Sequence, residues 1–266
     1  MVEFLSQFNI IVVGILASLL TGLATGAGAL LIYLKKHVSK KMLDAALGVA
    51  AGVMLAATSF SLIVPAIEKG GGGVRGSFIA LVGILLGGFF LDLTDKMFPD
   101  SNLMLNSMEA DEALKNGARL RRVWLFIIAI TIHNFPEGLA VGVGFGDGDI
   151  ANGISLAIGI GLQNFPEGLA VALPLIRENY PRWKAFLIAL CTGLVEPIGG
   201  LIGIAIVHVS KPILPVAMAF AAGAMIFVIS HEIIPETQSD HNHSKLATHA
   251  LLIGFVIMMF LDNSIG

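Results

Sequence analysis

A carboxylate-bearing segment of eight residues occurs twice in this chain. Asn-Phe-Pro-Glu-Gly-Leu-Ala-Val begins at Asn134 and, thirty residues later, begins again without change at Asn164. The residue before the segment is polar in both copies: His133 in the first and Gln163 in the second. Carboxylates, amides and an imidazole are oxygen and nitrogen ligands for divalent metals. The repeat therefore predicts a site for a divalent cation.

The spacing within each copy predicts which side chains meet. Helical residues four apart share a face, so His133 lies beside Glu137 and Gln163 lies beside Glu167. The asparagine of each copy is three residues before the glutamate and lies on the adjoining stripe. The proline is expected to bend each helix, and the glycine to let backbones approach closely. We expect two carboxylates, one imidazole and three amides to converge between two bent helices.

Further candidate ligands lie later in the chain. Glu196 is another carboxylate within an apolar run, and a proline follows it. His231 and Glu232 stand where a later apolar run ends. His241 and His243 follow in a polar loop, where capture of an emerging metal and simple solvation are both compatible with the sequence.

Each residue taken alone has a simpler interpretation. Histidine and amide side chains in membrane helices often hydrogen-bond to a neighbouring helix, and a single buried glutamate can relay protons. Proline and glycine there often mark only kinks and packing. Duplication with the carboxylates at matching positions favours the cation site.

Two enzymatic patterns fail. The zinc-hydrolase pattern His-Glu-x-x-His is broken at His231, because its fifth residue is Pro235, and at His133, because Asn134 follows. The sequence also lacks the phosphate-binding pattern Gly-x-x-x-x-Gly-Lys-Ser/Thr. We therefore expect neither an enzyme nor a prosthetic group.

The elements around these residues are those of a membrane protein. Only 13% of the 266 residues are charged, against about 25% in soluble proteins, and 56% are hydrophobic. A net charge of -3 without a long basic stretch disfavours nucleic-acid binding, and the single Cys191 excludes an internal disulfide. Apolar runs of the length that crosses a bilayer predict an all-α protein of one domain, residues 1–266, with eight transmembrane helices. The helices are predicted at about 5–34, 44–67, 73–91, 123–146, 150–176, 184–210, 212–235 and 246–264.

Charge sets the predicted orientation. Thirteen of the sixteen Lys and Arg residues fall in the loops after the first, third, fifth and seventh helices. Basic loops remain cytoplasmic, so both termini are expected outside and the long loop 92–122 inside. The sequence Ala-Ala-Gly-x-Met at 50–54 recurs at 221–225, in helices of opposite direction. With the repeated segment, this predicts a 3+2+3 arrangement with inverted repeats.

The motifs His-Asn-Phe-Pro-Glu-Gly at 133–138 and Gln-Asn-Phe-Pro-Glu-Gly at 163–168 resemble those of the ZIP family of divalent-metal transporters. The chain looks most like the bacterial GufA-type branch, over essentially its whole length. The resemblance implies an inner-membrane carrier that moves Zn²⁺, and variably Cd²⁺, Fe²⁺, Mn²⁺ or Co²⁺, into the cytoplasm. It also implies that helices 1, 4, 5 and 6 move past helices 2, 3, 7 and 8.

The resemblance further implies a binuclear metal site between helices 4, 5 and 6. The implied ligands of the first metal are His133, Glu137, Gln163 and Glu167, with Met54 nearby. Those of the second are Asn134, Asn164 and Glu196, with Glu137 or Glu167 as a bridge. His231 and Glu232 match the family's exit position.

The chain departs from the family pattern at two ligands. Many members have histidine where Gln163 stands, and others have aspartate where Asn164 stands. Both changes favour a broader range of metals, so a carrier or channel for Fe²⁺ or Mn²⁺ with little preference for zinc is an alternative. A metal-sensing membrane scaffold that transports nothing is another. Small residues at Gly83, Gly87 and Gly88 permit a homodimer.

Overall fold

The computed structural model describes residues 2–34, 39–97, 112–146, 148–209, 211–238 and 242–265. Eight helices in this part of the chain are long and apolar enough to cross a membrane. We label them α1 to α8 in chain order: Ile10–Leu34, Lys40–Lys69, Gly73–Thr94, Phe126–Gly146, Ile150–Arg177, Arg182–His208, Leu214–Gln238 and Ser244–Ser264. The described residues contain no strand. The predicted all-α fold with eight spanning helices is confirmed.

Several helices extend beyond these spans. A one-turn helix, Val2–Leu5, precedes α1, and α8 continues to Ile265. Helix α3 continues to Met97, and the helix that contains α4 begins at Glu112. Both ends of the loop predicted for 92–122 are therefore helical. Its middle, 98–111, lies outside the described residues.

Two spans are interrupted. In α1, the helix Ile10–Ala29 is followed by the short helix Leu31–Leu34. In α6, the helix Arg182–Gly193 ends before a second helix, Glu196–Val209, begins. A proline directly follows Glu196, and proline is favoured in the first turn of a helix because no intrahelical donor is lost there. The break therefore places Glu196 at the start of a half-helix inside the span.

Helices α2 and α7 share an irregularity. The Lys40–Ala56 helix of α2 is followed by a π-helix, Ala57–Ile63, and the Leu214–Val228 helix of α7 by a π-helix, Ile229–Ile233. Each π-helix ends two residues before a proline of the helices that follow, Val64–Lys69 and Ile234–Gln238. A wider turn relieves the clash between a proline ring and the carbonyl four residues earlier. The two helices that contain the Ala-Ala-Gly-x-Met sequences thus bulge at matching places.

The spans pack in pairs. Helix α1 lies against α5, and α4 lies against α6. The glycines of the repeated segment make these contacts: a side chain at Gly168 would meet the backbone of Thr25, and one at Gly138 would meet the backbone of Glu196. Helix α2 likewise pairs with α8, and α3 with α7. Helix α6 packs on α4 and helix α1 packs on α5, and these neighbours help to cover the polar faces of α4 and α5.

The predicted homodimer face is largely used inside the chain. Gly83 packs on Ala219 of α7, and Gly87 packs on the backbone of Phe220. Gly88 is packed less tightly than these two, since an added Cβ would be in ordinary contact with the Gly223 carbonyl at 3.8 Å. The homodimer remains a prediction, but Gly83 and Gly87 cannot also contact a second copy.

Burial separates the middle of the bundle from its edge. Helices α2, α4, α5 and α7 are the most covered, whereas α3 and α8 present apolar side chains such as Phe89 and Phe260 outward. Those exposed side chains suit contact with lipid hydrocarbon. The polar residues of α4 and α5 therefore lie at the centre of the bundle.

Candidate metal centre

Three predicted ligands form one buried cluster. His133, Glu137 and Glu167 each place a ligand atom within 4.8 Å of the other two, and their exposed fractions are 2%, 1% and 6%. Nε2 of His133 lies 3.7 Å from Oε2 of Glu167. His133 and Glu137 occupy successive turns of α4, and Glu167 comes from α5. The convergence predicted from the helical spacing is present.

Gln163 completes this cluster. Its amide nitrogen donates a hydrogen bond to Oε1 of Glu137. Every member of the cluster nevertheless keeps a buried atom that has no hydrogen-bond partner among the described residues: Nδ1 and Nε2 of His133, Oε2 of Glu137, Oε1 of Gln163 and Oε1 of Glu167. Buried polar atoms without partners are rare because they cost free energy. A cation bound among them would satisfy these atoms together.

A second group adjoins the first. Asn164 donates hydrogen bonds to the Thr21 carbonyl at 2.9 Å and to Oε1 of Glu196 at 2.6 Å. Asn134, Asn164 and Glu196 are all fully buried. Within the described part of the chain, both amide atoms of Asn134, Oδ1 of Asn164 and Oε2 of Glu196 lack a hydrogen-bond partner. Glu196 also lies within electrostatic range of both glutamates of the first cluster. The three carboxylates repel one another unless positive charge lies between them.

A small cavity adjoins the first cluster. Its volume is about 40 Å³, and Met54, His133, Gln163 and Glu167 line it together with Glu232. A water molecule needs roughly 10–15 Å³ of such space, so the cavity admits an ion with some of its water. Met54 is buried, and its sulfur-bearing side chain is part of the cavity wall.

Only one residue of the predicted exit pair reaches this cavity. Oε2 of Glu232 lies 3.3 Å from Nδ1 of His133. His231 instead stacks on Phe227, with ring centroids 5.2 Å apart, and lines a groove between α3 and α7 with Asp92. Adjacent helical residues point in different directions, and of these two only Glu232 lines the cavity. Glu232 therefore lies beside His133 at the cavity, and His231 faces away from it.

Some polar contacts were not predicted from the sequence. Ser61 of α2 and Ser155 of α5 both donate hydrogen bonds to Oδ1 of Asp262, at 2.5 and 3.0 Å. Asp262 lies near the end of α8, on the side of the bundle where the chain terminates. A carboxylate at the edge of an apolar run was the available signal, but nothing in the sequence pairs it with two serines.

The donor set indicates which ions the centre suits. Imidazole nitrogen, carboxylate and amide oxygen, and a nearby thioether together suit late first-row divalent metals better than Mg²⁺ or Ca²⁺, which prefer oxygen ligands alone. The buried cluster contains no serine, cysteine or lysine that would act as a nucleophile. The arrangement is therefore suited to holding a cation within the membrane.

Comparison with known proteins finds similarity to zinc transporters. A family model described as ZIP Zinc transporter matches residues 8–262. The chain is 41% identical over 257 residues to zinc transporter GufA of Myxococcus xanthus, covering 95% of this chain and 99% of the relative. It is 42% identical over 246 residues to zinc transporter ZIPB of Bordetella bronchiseptica, covering 91% and 78%. Human zinc transporter ZIP11 is 38% identical over 322 aligned residues, covering 91% and 94%.

These relatives are transporters rather than enzymes, which agrees with the failure of the hydrolase and phosphate-loop patterns. The family model covers nearly the whole chain, and the repeated segment that it includes forms the buried cluster. The chain therefore belongs to the ZIP family of zinc transporters.

Proposed function

We propose that this protein carries Zn²⁺ across the inner membrane into the cytoplasm through the buried cluster between α4 and α5. The observation that carries the proposal is the set of unpartnered atoms on His133, Glu137, Gln163 and Glu167 at the centre of the bundle. The names of the relatives support zinc as the substrate. Cd²⁺ and other divalent transition metals suit the same donors. The metal is cargo, and no prosthetic group takes part.

The site holds two metal ions in this proposal. The first lies among His133, Glu137, Gln163 and Glu167, with Met54 nearby. The second lies among Asn134, Asn164 and Glu196, and Glu137 or Glu167 bridges the two. Support comes from the unpartnered oxygen that each residue of the second group retains.

The route out of the site begins at Glu232. This carboxylate contacts His133, and Glu236, one turn further along α7, lines the same cavity. Helix α7 ends on the side of the bundle that carries most of the basic loops. Because basic loops remain in the cytoplasm, both termini face outward, and a cation that leaves past Glu232 and Glu236 enters the cell.

Movement of the site follows from the helix pairs. Helices α1, α4, α5 and α6 carry the ligands of both metals except Met54, and they shift as a body past α2, α3, α7 and α8. Pairing of α1 with α5 and α4 with α6 supports this division, as does pairing of α2 with α8 and α3 with α7. An inverted 3+2+3 repeat relates the pair α1 and α5 to the pair α6 and α4, and the pair α2 and α8 to the pair α7 and α3.

Time-resolved entry of Zn²⁺ into proteoliposomes tests the proposal. The wild-type protein is compared with His133→Ala and with His249→Ala, a matched control because His249 is exposed on α8. We expect saturable entry that Cd²⁺ inhibits, that His133→Ala abolishes and that His249→Ala leaves intact. Metal that binds without entering would instead support the metal-sensing scaffold.

A broader substrate range is a second candidate, favoured by the two amides in the site. Gln163 and Asn164 supply oxygen ligands where other members have imidazole or carboxylate, and amide oxygen discriminates less strongly for zinc. Competition by Mn²⁺ and Fe²⁺ in the same assay separates the two. If Mn²⁺ inhibits the measured entry as strongly as added Zn²⁺ does, the result would favour a carrier or channel for Fe²⁺ or Mn²⁺.

A further inference from the structure

A groove lies between α4 and α6, at the end of the bundle where these two spans begin. Its volume is about 330 Å³. Its walls include Trp124, Ile128 and Thr131 on one helix and Leu187, Cys191 and Thr192 on the other. Residues three or four apart share a helical face, so each set forms a single stripe. Seven residues of helix extend about 10 Å, which gives the length of the groove.

The groove is present because α4 and α6 diverge. Helix α4 packs closely against the second half of α6, Glu196–Val209, and has far less contact with the first half, Arg182–Gly193. The first half packs mainly against α1 and α5 instead. The break in α6 therefore leaves an open seam beside α4 on the side where α6 begins.

The walls of the groove are apolar in character although two threonines belong to them. The Thr131 hydroxyl donates a hydrogen bond to the Ile127 carbonyl at 2.7 Å, and the Thr192 hydroxyl donates one to the Ala189 carbonyl at 2.8 Å. Both hydroxyls are satisfied within their own helices. Such walls suit a hydrocarbon chain better than water, which would lose hydrogen bonds there.

Aromatic rings frame the mouth of the groove. Nε1 of Trp124 donates a hydrogen bond to the Tyr180 hydroxyl at 3.2 Å, and the two rings meet edge to face. Trp183, in the first turn of α6, is more than half exposed. Tryptophan and tyrosine are enriched at the level of the lipid headgroups. The mouth is therefore expected at that level, and the groove extends from it into the hydrocarbon.

A cation stands at the same mouth. Lys184 is three residues before Leu187 and seven before Cys191, so it lies on the stripe of α6 that lines the groove. Its ammonium group lies over the ring of Trp183, 5.5 Å from the centroid. This contact holds the charge beside the aromatic rim. A negatively charged group at the mouth would meet Lys184 first.

The connection between α5 and α6 is basic as a whole. Residues 177–184 include Arg177 and Arg182, both exposed, besides Lys184, and their one carboxylate is Glu178. This connection lies on the side that we assign to the cytoplasm, where anionic lipids make the membrane surface negative. An anionic lipid headgroup therefore complements the charge around the mouth.

We propose that this groove binds one anionic phospholipid of the cytoplasmic leaflet. One acyl chain lies between α4 and α6, and the headgroup phosphate lies at Lys184. The hydrocarbon of one leaflet is about 15 Å thick, so a groove of about 10 Å covers roughly two thirds of a chain. The apolar walls explain the chain, and the basic rim explains the preference for an anionic headgroup.

The inner end of the groove lies just before the metal centre. Thr131 is two residues before His133 on α4, and Thr192 is four residues before Glu196 on α6. A chain in the groove fixes the spacing of two helices that carry ligands of the proposed metals, so it should favour transport. This effect rests on the proposed function, whereas binding of the lipid does not.

Quenching of tryptophan fluorescence by brominated phospholipids tests the binding. The chain has two tryptophans, and Trp183→Phe leaves Trp124, in the groove, as the reporter. This variant is placed in phosphatidylcholine vesicles that contain a small fraction of brominated phosphatidylglycerol or of brominated phosphatidylcholine. We expect the phosphatidylglycerol to quench Trp124 at an about fivefold lower mole fraction, because one basic residue near the surface contributes roughly that much.

Further variants of this protein locate the lipid. Lys184→Gln is expected to abolish the preference, and Lys184→Arg to retain it. The matched control is Lys245→Gln, an exposed cation at the start of α8 on the same side of the bundle. Cys191→Phe should reduce quenching by both lipids, because its ring fills the groove.

Three results would overturn the proposal. The first is equal quenching of Trp124 by the two brominated lipids, or quenching by neither. The second is a preference that persists in Lys184→Gln. The third is quenching that Cys191→Phe leaves unchanged, because the acyl chain would then lie elsewhere.

Zinc uptake separates this proposal from the proposed function. We expect phosphatidylglycerol to speed Zn²⁺ entry into wild-type proteoliposomes more than into those with Lys184→Gln. Anionic lipid also concentrates Zn²⁺ at any membrane surface, so the comparison of the two proteins carries the result. If the wild-type protein carries no zinc but quenching is selective, the transport function fails and the lipid site stands. If zinc enters normally and quenching is not selective, the lipid site fails and the transport function stands.

Discussion

The two copies of the repeated segment share eight residues but make different contacts. In the second copy, Asn164 donates hydrogen bonds to the Thr21 carbonyl and to Glu196. In the first copy, Asn134 is equally buried and has no hydrogen-bond partner among the described residues. The glutamates differ too, because Glu137 accepts a hydrogen bond from Gln163 whereas Glu167 faces His133.

What the copies share is their packing. The glycine of each copy admits the backbone of a neighbouring helix, at Glu196 for the first copy and at Thr25 for the second. The segment therefore determines how α4 and α5 pack, and their neighbours determine what each polar side chain does. Variants that treat the copies unequally test this distinction.

Loss of either glutamate should have the largest effect. Glu137→Gln and Glu167→Gln each remove a charged ligand but preserve the shape of the side chain. Because both carboxylates serve the proposed centre, we expect each variant to reduce Zn²⁺ uptake by at least about 100-fold. Uptake unchanged in Glu167→Gln would contradict the assignment of both copies to one site.

The residues that precede the two copies should differ in importance. His133→Ala removes an imidazole that lies beside both Glu167 and Glu232, whereas Gln163→Ala removes a neutral amide. Imidazole is the stronger ligand for zinc, so we expect His133→Ala to weaken zinc binding roughly tenfold more than Gln163→Ala. Isothermal titration of both purified variants measures the difference, and equal losses would refute the ranking.

Making the copies alike should change pH dependence. Protons compete with metal for carboxylate and imidazole ligands, so zinc binding is expected to fall as the pH drops from about 7 to about 5. Gln163→His adds a ligand that must lose a proton, and the fall should become steeper. Binding curves at several pH values test this, with His249→Gln as the control. A slope equal to that of the wild type would show that residue 163 does not bind the metal.

The asparagines should differ in stability without metal. Asn164→Ala removes two hydrogen bonds and leaves Glu196 less satisfied, at an expected cost of about 1–3 kcal/mol. Asn134→Ala removes a side chain without a partner in the described structure and should be nearly neutral. Thermal unfolding in a chelator measures both variants, and an equal loss would show that the two surroundings do not differ as described.

Much of the centre was predictable because helical periodicity is local. Residues four apart share a face, so the pairs His133 with Glu137 and Gln163 with Glu167 followed from their spacing. The half-helix that begins at Glu196 was signalled only by the proline after it, since the break itself depends on packing against α1 and α4. The different directions of His231 and Glu232 do not follow from the sequence pattern, which places both residues at the end of the same apolar run.

The eight spans and the side chains that share a helical face in the repeated segment were determined by the sequence alone, since bilayer thickness and helical repeat act on short stretches of chain. Contacts between side chains far apart in the chain were decided only by the tertiary structure. Asp44 lies beside His243, and Asp262 accepts a hydrogen bond from Ser61, because α2 packs against α8. Asp262 also accepts a hydrogen bond from Ser155 because α5 contacts α8. Such contacts join residues far apart in the chain, and no local periodicity encodes which helices become neighbours.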